Sequence, residues 1–139
     1  MKPPEPKEPS QTPRPAFTYC RDRIFLLAVG LWALNRFWLR SVWNLPFLQE
    51  YASDLLCVPF LLPPTLGLMR LVGTRAGDAP PSASEIAVFL VVFSGTFELL
   101  YPNLSEFQTV AYSDPLDVLA YAAGGILAGI GWNARTART

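Results

Sequence analysis

The chain contains no histidine among its 139 residues and has two cysteines, Cys20 and Cys57. Without histidine the commonest general base and the commonest metal ligand are missing. Two cysteines fall short of a zinc site. One precedes the first apolar stretch and the other lies inside the second, which argues against a disulfide. No cofactor and no metal are expected. Charge is also scarce: 16% of residues are charged, against roughly 25% in an average soluble domain. Eleven basic and eleven acidic side chains cancel, so there is no electrostatic footprint for nucleic acid.

Apolar side chains make up 51% of the chain and gather in blocks at 24–43, 53–72, 85–101 and 115–132. About 20 helical residues cross the hydrocarbon core of a bilayer. A soluble helical bundle would carry polar stripes at helical spacing, and the third and fourth blocks have none. The pattern predicts an all-α polytopic membrane protein, a four-helix transmembrane bundle within residues 21–134. The lipid bilayer is its first partner. Residues 1–20 hold prolines 3, 4, 6, 9, 13 and 15 among polar residues and read as a disordered cytoplasmic tail. Residues 135–139 read as a second, short cytoplasmic tail. No small-x-small cleavage site follows the first block, which reads as a retained helix rather than a signal peptide.

Local signals refine the blocks. Pro59, Pro63 and Pro64 predict a kink or break near residues 61–65. Residues 73–84 (GTRAGDAPPSAS) are a loop by composition, with Ser82 or Ser84 capping the next helix and Glu85 in its first turn. Ser113 or Asp114 caps the fourth helix, with Pro115 at its first position. Trp38, Trp43, Tyr51, Tyr101, Tyr112 and Trp132 sit near block ends, as interfacial aromatics do. With the amino terminus in the cytoplasm, four crossings return the carboxyl terminus there. Nine of the eleven basic residues are then cytoplasmic, and residues 102–113 carry none. The positive-inside rule requires that asymmetry.

Several polar residues interrupt the apolar blocks: Asn35, Arg36, Asp54, Glu98 and Asp117. A charge at mid-helix costs roughly 2.5–3.5 kcal/mol on insertion scales, so such residues are expected to pair, line water or serve a function. In the orientation above all five fall in the outer half of the membrane. Together with Tyr121 they form the candidate site: a polar cluster opening outward, with Arg36 as counter-ion and Arg40 one turn beyond. Asp54, near the start of its block, equally reads as a helix cap. The interval from Asn35 to Asp54 equals that from Glu98 to Asp117, 19 residues, as in two parallel repeats. In the fourth block Asp117, Tyr121, Gly124 and Ala128 share one face, and Gly125 and Gly129 form a G-x-x-x-G pair beside it. Small residues let helix backbones approach, which places this helix at the bundle centre or against a second copy in a homodimer.

Residues 98–125 (ELLYPNLSEFQTVAYSDPLDVLAYAAGG) resemble the VanZ-like family of small bacterial integral membrane proteins. That family shows an acidic residue late in one helix, a polar outer loop, then Asp-Val followed by small residues and glycine. Glu98, Asp117 with Val118, and Gly124 or Gly125 match that pattern, and Tyr121 stands where asparagine is usual. The resemblance implies a multi-pass protein of the bacterial inner membrane and, more loosely, envelope or lipophilic-antibiotic biology. Three functions are compatible with these residues. The leading one is a non-enzymatic bundle whose outer cluster binds a lipid head group or an amphiphilic compound. A small proton-coupled secondary transporter would use the carboxylates as proton carriers and the proline-rich helix as its moving part. An enzyme acting on lipid-linked envelope intermediates has the least support, because only Glu98 and Asp117 offer acid–base chemistry.

Overall fold

In the computed structural model, which describes residues 16–42, 45–100 and 115–136, the chain is all-helical, with no strand among those residues. Helix α1 runs Arg23–Leu34 and continues through a π-helical stretch, Asn35–Leu39, into a last α turn, Arg40–Val42. Helix α2 is Pro46–Leu71. Helix α3 is Ala83–Ser94, continued by a second π stretch, Gly95–Leu100. Helix α4 is Pro115–Thr136. The expected caps Ser113 and Asp114, and the aromatics Trp43, Tyr101 and Tyr112, lie outside the described residues.

Helix starts follow their local chemistry. Asp22 caps α1, its side chain accepting the Ile24 and Phe25 amides at 2.8 and 3.4 Å. Ser82, rather than Ser84, caps α3 in a full capping box. Its hydroxyl accepts the Glu85 amide at 3.2 Å, and the Glu85 carboxylate accepts the Ser82 amide at 2.8 Å. Proline opens both α2 and α4, where its missing N–H is no loss.

Two expectations need correction in α2. It begins at Pro46 and not at residue 53, so Asp54 lies two turns inside the helix and does not cap it. It is also unbroken across Pro59, Pro63 and Pro64. Each of these prolines withholds an N–H from the carbonyl four residues earlier. For Pro59 that carbonyl belongs to Leu55, and it faces Gly124 of α4 so closely that a Cβ there would lie 2.8 Å from the carbonyl carbon and nearer still to the oxygen. Glycine at 124 thus lets α4 lie directly over the carbonyl that the proline frees, with Cα–H···O contact available to it. Thr65 donates to the Leu61 carbonyl at 2.8 Å, binding the next turn.

Helices α2 and α4 form the central pair; α1 packs on α2, and α3 packs on both. The inner face of α4 carries Tyr121, Gly124, Gly125, Ala128, Gly129 and Trp132, all buried. Its outer face carries Leu119, Ile126, Leu127 and Ile130, each at least 60% exposed. Small residues inside and large aliphatic ones outside invert the arrangement of a soluble helix. The other helices also expose large apolar side chains, while α2 buries Val58, Leu62 and Leu66 and α3 buries Ile86. Among the described residues 22 large apolar side chains are exposed and nine hydrophobic ones are buried. Two helical stretches, Tyr51–Leu71 and Pro115–Ala134, are long and apolar enough to cross a membrane, and Ala83–Phe97 is a shorter apolar stretch.

Candidate functional site

The bundle has two ends of different character. At the Asp22 end the start of α1, the connection from α2 to α3 and the end of α4 converge on a polar clasp. Arg75 is buried and all five of its guanidinium N–H groups are used. Two go to the Glu85 carboxylate (2.7 and 3.3 Å), one to the Tyr19 hydroxyl (3.1 Å), and one each to the Gly77 and Ala79 carbonyls (3.0 and 2.7 Å). The Glu85 carboxylate, and secondarily the Tyr19 hydroxyl, raise the Arg75 pKa further and keep its charge fixed. The Tyr19 hydroxyl donates to Asp78 at 2.6 Å, and Arg70 donates to the same oxygen at 3.0 Å. Those two bonds, Tyr19 first, hold the Asp78 carboxyl below its ordinary range. Asp22, itself buried, also accepts the Trp132 indole N–H at 2.9 Å across 110 residues of chain.

This clasp corrects two expectations. Trp132 is not an interfacial aromatic; it is 2% exposed, with Phe17 edge-on against it at 6.0 Å. Residues 16–20 do not continue the expected disordered tail. Phe17 is buried and its amide donates to the Asp78 carbonyl at 2.6 Å; residues 1–15 lie outside the described set. With every Arg75 donor taken, the clasp is closed to ligands and its role is structural. Sequence reading missed Asp22, Tyr19, Asp78 and Trp132 as partners. Only the aspartate directly before a helical run hinted at any of them.

The Asn35 end is built differently. Asn35, buried at the first position of the α1 π stretch, donates to the Ser53 hydroxyl of α2 at 3.3 Å. Beside this contact lies a half-open cavity of about 370 Å³. Ser53, Asp54 and Cys57 of α2 and Tyr121 of α4 supply its polar lining. Trp32 and Phe60 form one aromatic wall, with ring centroids 5.6 Å apart. Phe93 and Phe97 of α3 form the other, 4.4 Å apart, and Phe93 meets Tyr121 edge-on at 5.3 Å. Both π stretches lie at this level, each following a twelve-residue α segment. Such wide turns are frequent at functional sites.

The structure therefore brings together Asn35, Asp54 and Tyr121 of the expected cluster. Asp117 is half-buried one turn before Tyr121 on α4. Glu98 falls in the α3 π stretch, and its side chain lies outside the described set. Arg36 is exposed. Arg36 was expected as counter-ion to one or two of Asp54, Glu98 and Asp117, and the side chain of Glu98 lies outside the described residues. Of the packing residues, Gly124, Gly125, Ala128 and Gly129 all lie on the buried face of α4. The aromatic walls were not foreseen, since they join residues of three helices. No group of three or more metal-ligating side chains occurs among the described residues.

Protein-family models, curated proteins and solved structures were each compared with this chain, and none matches. The site therefore has to be read from its own chemistry.

Proposed function

We propose that this chain is a multi-pass membrane protein of the bacterial inner membrane. Its four helices all cross, both termini are cytoplasmic, and its cavity holds the head group of an amphiphile in the outer half of the bilayer. The inverted face of α4 carries the membrane reading: Leu119, Ile126, Leu127 and Ile130 need an apolar solvent that water cannot supply. Orientation is supported by Arg21, Arg23, Arg70 and Arg75, which all lie at the Asp22 end. On that reading the cavity faces the opposite leaflet. The resemblance to VanZ-like proteins agrees with this placement.

The cavity carries the binding reading. It combines a carboxylate, two hydroxyls and a thiol with aromatic walls, in a volume of about 370 Å³. Small-molecule sites have that character, a mostly apolar enclosure with a few placed polar groups. We read this lining as a binding site rather than a site of turnover. A filling substitution at a lining position, Cys57→Phe, tests it. The protein purified in mild detergent should retain fewer amphiphiles than the unmodified chain while eluting and melting normally. Unchanged retention in a folded variant would refute the reading.

A further inference from the structure

We infer that the cavity selects a cationic head group, a primary or quaternary ammonium carried on an aliphatic tail. The inference rests on the amphiphile-binding reading above and specifies its ligand class. Of the residues lining the cavity one is acidic, Asp54, and none is basic. Aromatic rings stand on two sides, Trp32 with Phe60 and Phe93 with Phe97 and Tyr121. Ring faces are the negative part of an aromatic quadrupole and attract a cation within about 6 Å of their centroids. A phosphate or carboxylate head would meet repulsion from Asp54 and from every ring face it approached.

A neutral sugar-like head fits no better. It needs several hydrogen-bonding partners, and the lining offers few, one of which, the Ser53 hydroxyl, already accepts from Asn35. A compact cation needs only the carboxylate and the rings. Asp54 also has interactions within the chain. A carboxylate has about four lone-pair sites, so it can share its charge between those interactions and an ammonium. Leu56 and Leu61, also in the lining, offer apolar surface to the first methylenes of the tail.

The test uses the full chain in maltoside micelles, with bound amphiphiles counted by native mass spectrometry during titration. The probes are dodecyltrimethylammonium, dodecylglycerol, dilauroylphosphatidylethanolamine and dilauroylphosphatidylglycerol. Dodecyltrimethylammonium should bind at least about tenfold more tightly than dodecylglycerol, the scale of one charge-assisted contact. Asp54→Asn should erase that preference, and Phe93→Leu should weaken ammonium binding about threefold or more. Both variants are to be checked for an unchanged melting profile. Phosphatidylethanolamine bound in preference to phosphatidylglycerol identifies a membrane lipid as the source, whereas dodecyltrimethylammonium bound without that preference identifies a free amphiphile; either supports the cationic class. Equal binding of dodecylglycerol and dodecyltrimethylammonium, blocked by Cys57→Phe, would overturn the charge selectivity and leave the cavity reading standing. No binding that Cys57→Phe reduces would overturn both.

Discussion

Replacing Gly124 by alanine tests the central helix crossing. The added methyl would stand 2.8 Å from the Leu55 carbonyl carbon, closer still to its oxygen, and 3.3 Å from its Cα, where ordinary contact begins at 3.4 Å. All three atoms are backbone of α2 and cannot rotate away, so the helices must part by roughly 1 Å. A gap of that size forfeits about a quarter to a half of each dispersion contact across the crossing. The carbonyl freed by Pro59 also loses its glycine partner. Overpacking costs about 1–3 kcal/mol, and a backbone clash belongs at the upper end, near 3 kcal/mol. Two neighbours calibrate the result. Gly125→Ala meets the movable Ile86 side chain at 3.2 Å and should cost under about 1 kcal/mol, whereas Gly30→Ala has nothing within 4 Å and should be neutral or stabilising by about 0.5–1 kcal/mol. Thermal unfolding in maltoside, followed by circular dichroism, gives the ranking. If Gly124→Ala melts no earlier than Gly125→Ala, the α2–α4 crossing is wrong.

Other predictions concern the Asp22 end. Trp132→Phe removes the indole donor to buried Asp22 while nearly keeping the ring, and should cost about 1–2 kcal/mol in the same melting assay. Arg75→Met strands Glu85 and two loop carbonyls and should cost about 2–4 kcal/mol, whereas an exposed arginine such as Arg36 replaced by Met should change melting by under about 0.5 kcal/mol. Asp78 has its pKa lowered by Tyr19 and Arg70, so its contribution is complete above its ordinary value and is lost as pH falls through the lower folded value. The Phe17 amide, held by the Asp78 carbonyl, should thus keep constant hydrogen-exchange protection between about pH 5 and 8, after correction for intrinsic rates, and lose it below about pH 4.

Much of the fold was legible because it follows local rules. The apolar blocks gave the four helices, and Ser82 with Glu85 and Pro115 marked two of their starts. The small-residue periodicity at Tyr121, Gly124 and Ala128 gave the buried face of α4 before any neighbour was known. What failed required knowledge of partners. Three prolines in α2 forecast a break, because the sequence cannot say that Gly124 brings α4 over the orphaned Leu55 carbonyl. Asp54 read equally as a cap because residues 46–52 are mixed in polarity, although Pro46 was the better start signal. At the candidate site the sequence picked out polar residues but not which way each side chain faces. Asn35 is buried in the bundle and its neighbour Arg36 is exposed. The clasp was invisible for a simpler reason: Asp22 meets Trp132 across 110 residues, and Tyr19 meets Asp78 across 59.

The claim on which the whole account depends is that hydrocarbon covers the large-residue face of α4. Spin labels placed singly at Leu119, Ile126, Leu127 and Ile130, in a Cys20→Ser, Cys57→Ala background reconstituted in liposomes, measure it directly through collision with oxygen and with a water-borne nickel chelate. The account predicts high oxygen and low nickel accessibility at Ile126, Leu127 and Ile130, with Leu119 nearest the far surface. Nickel accessibility as high as that of a label at exposed Ala76 would contradict it.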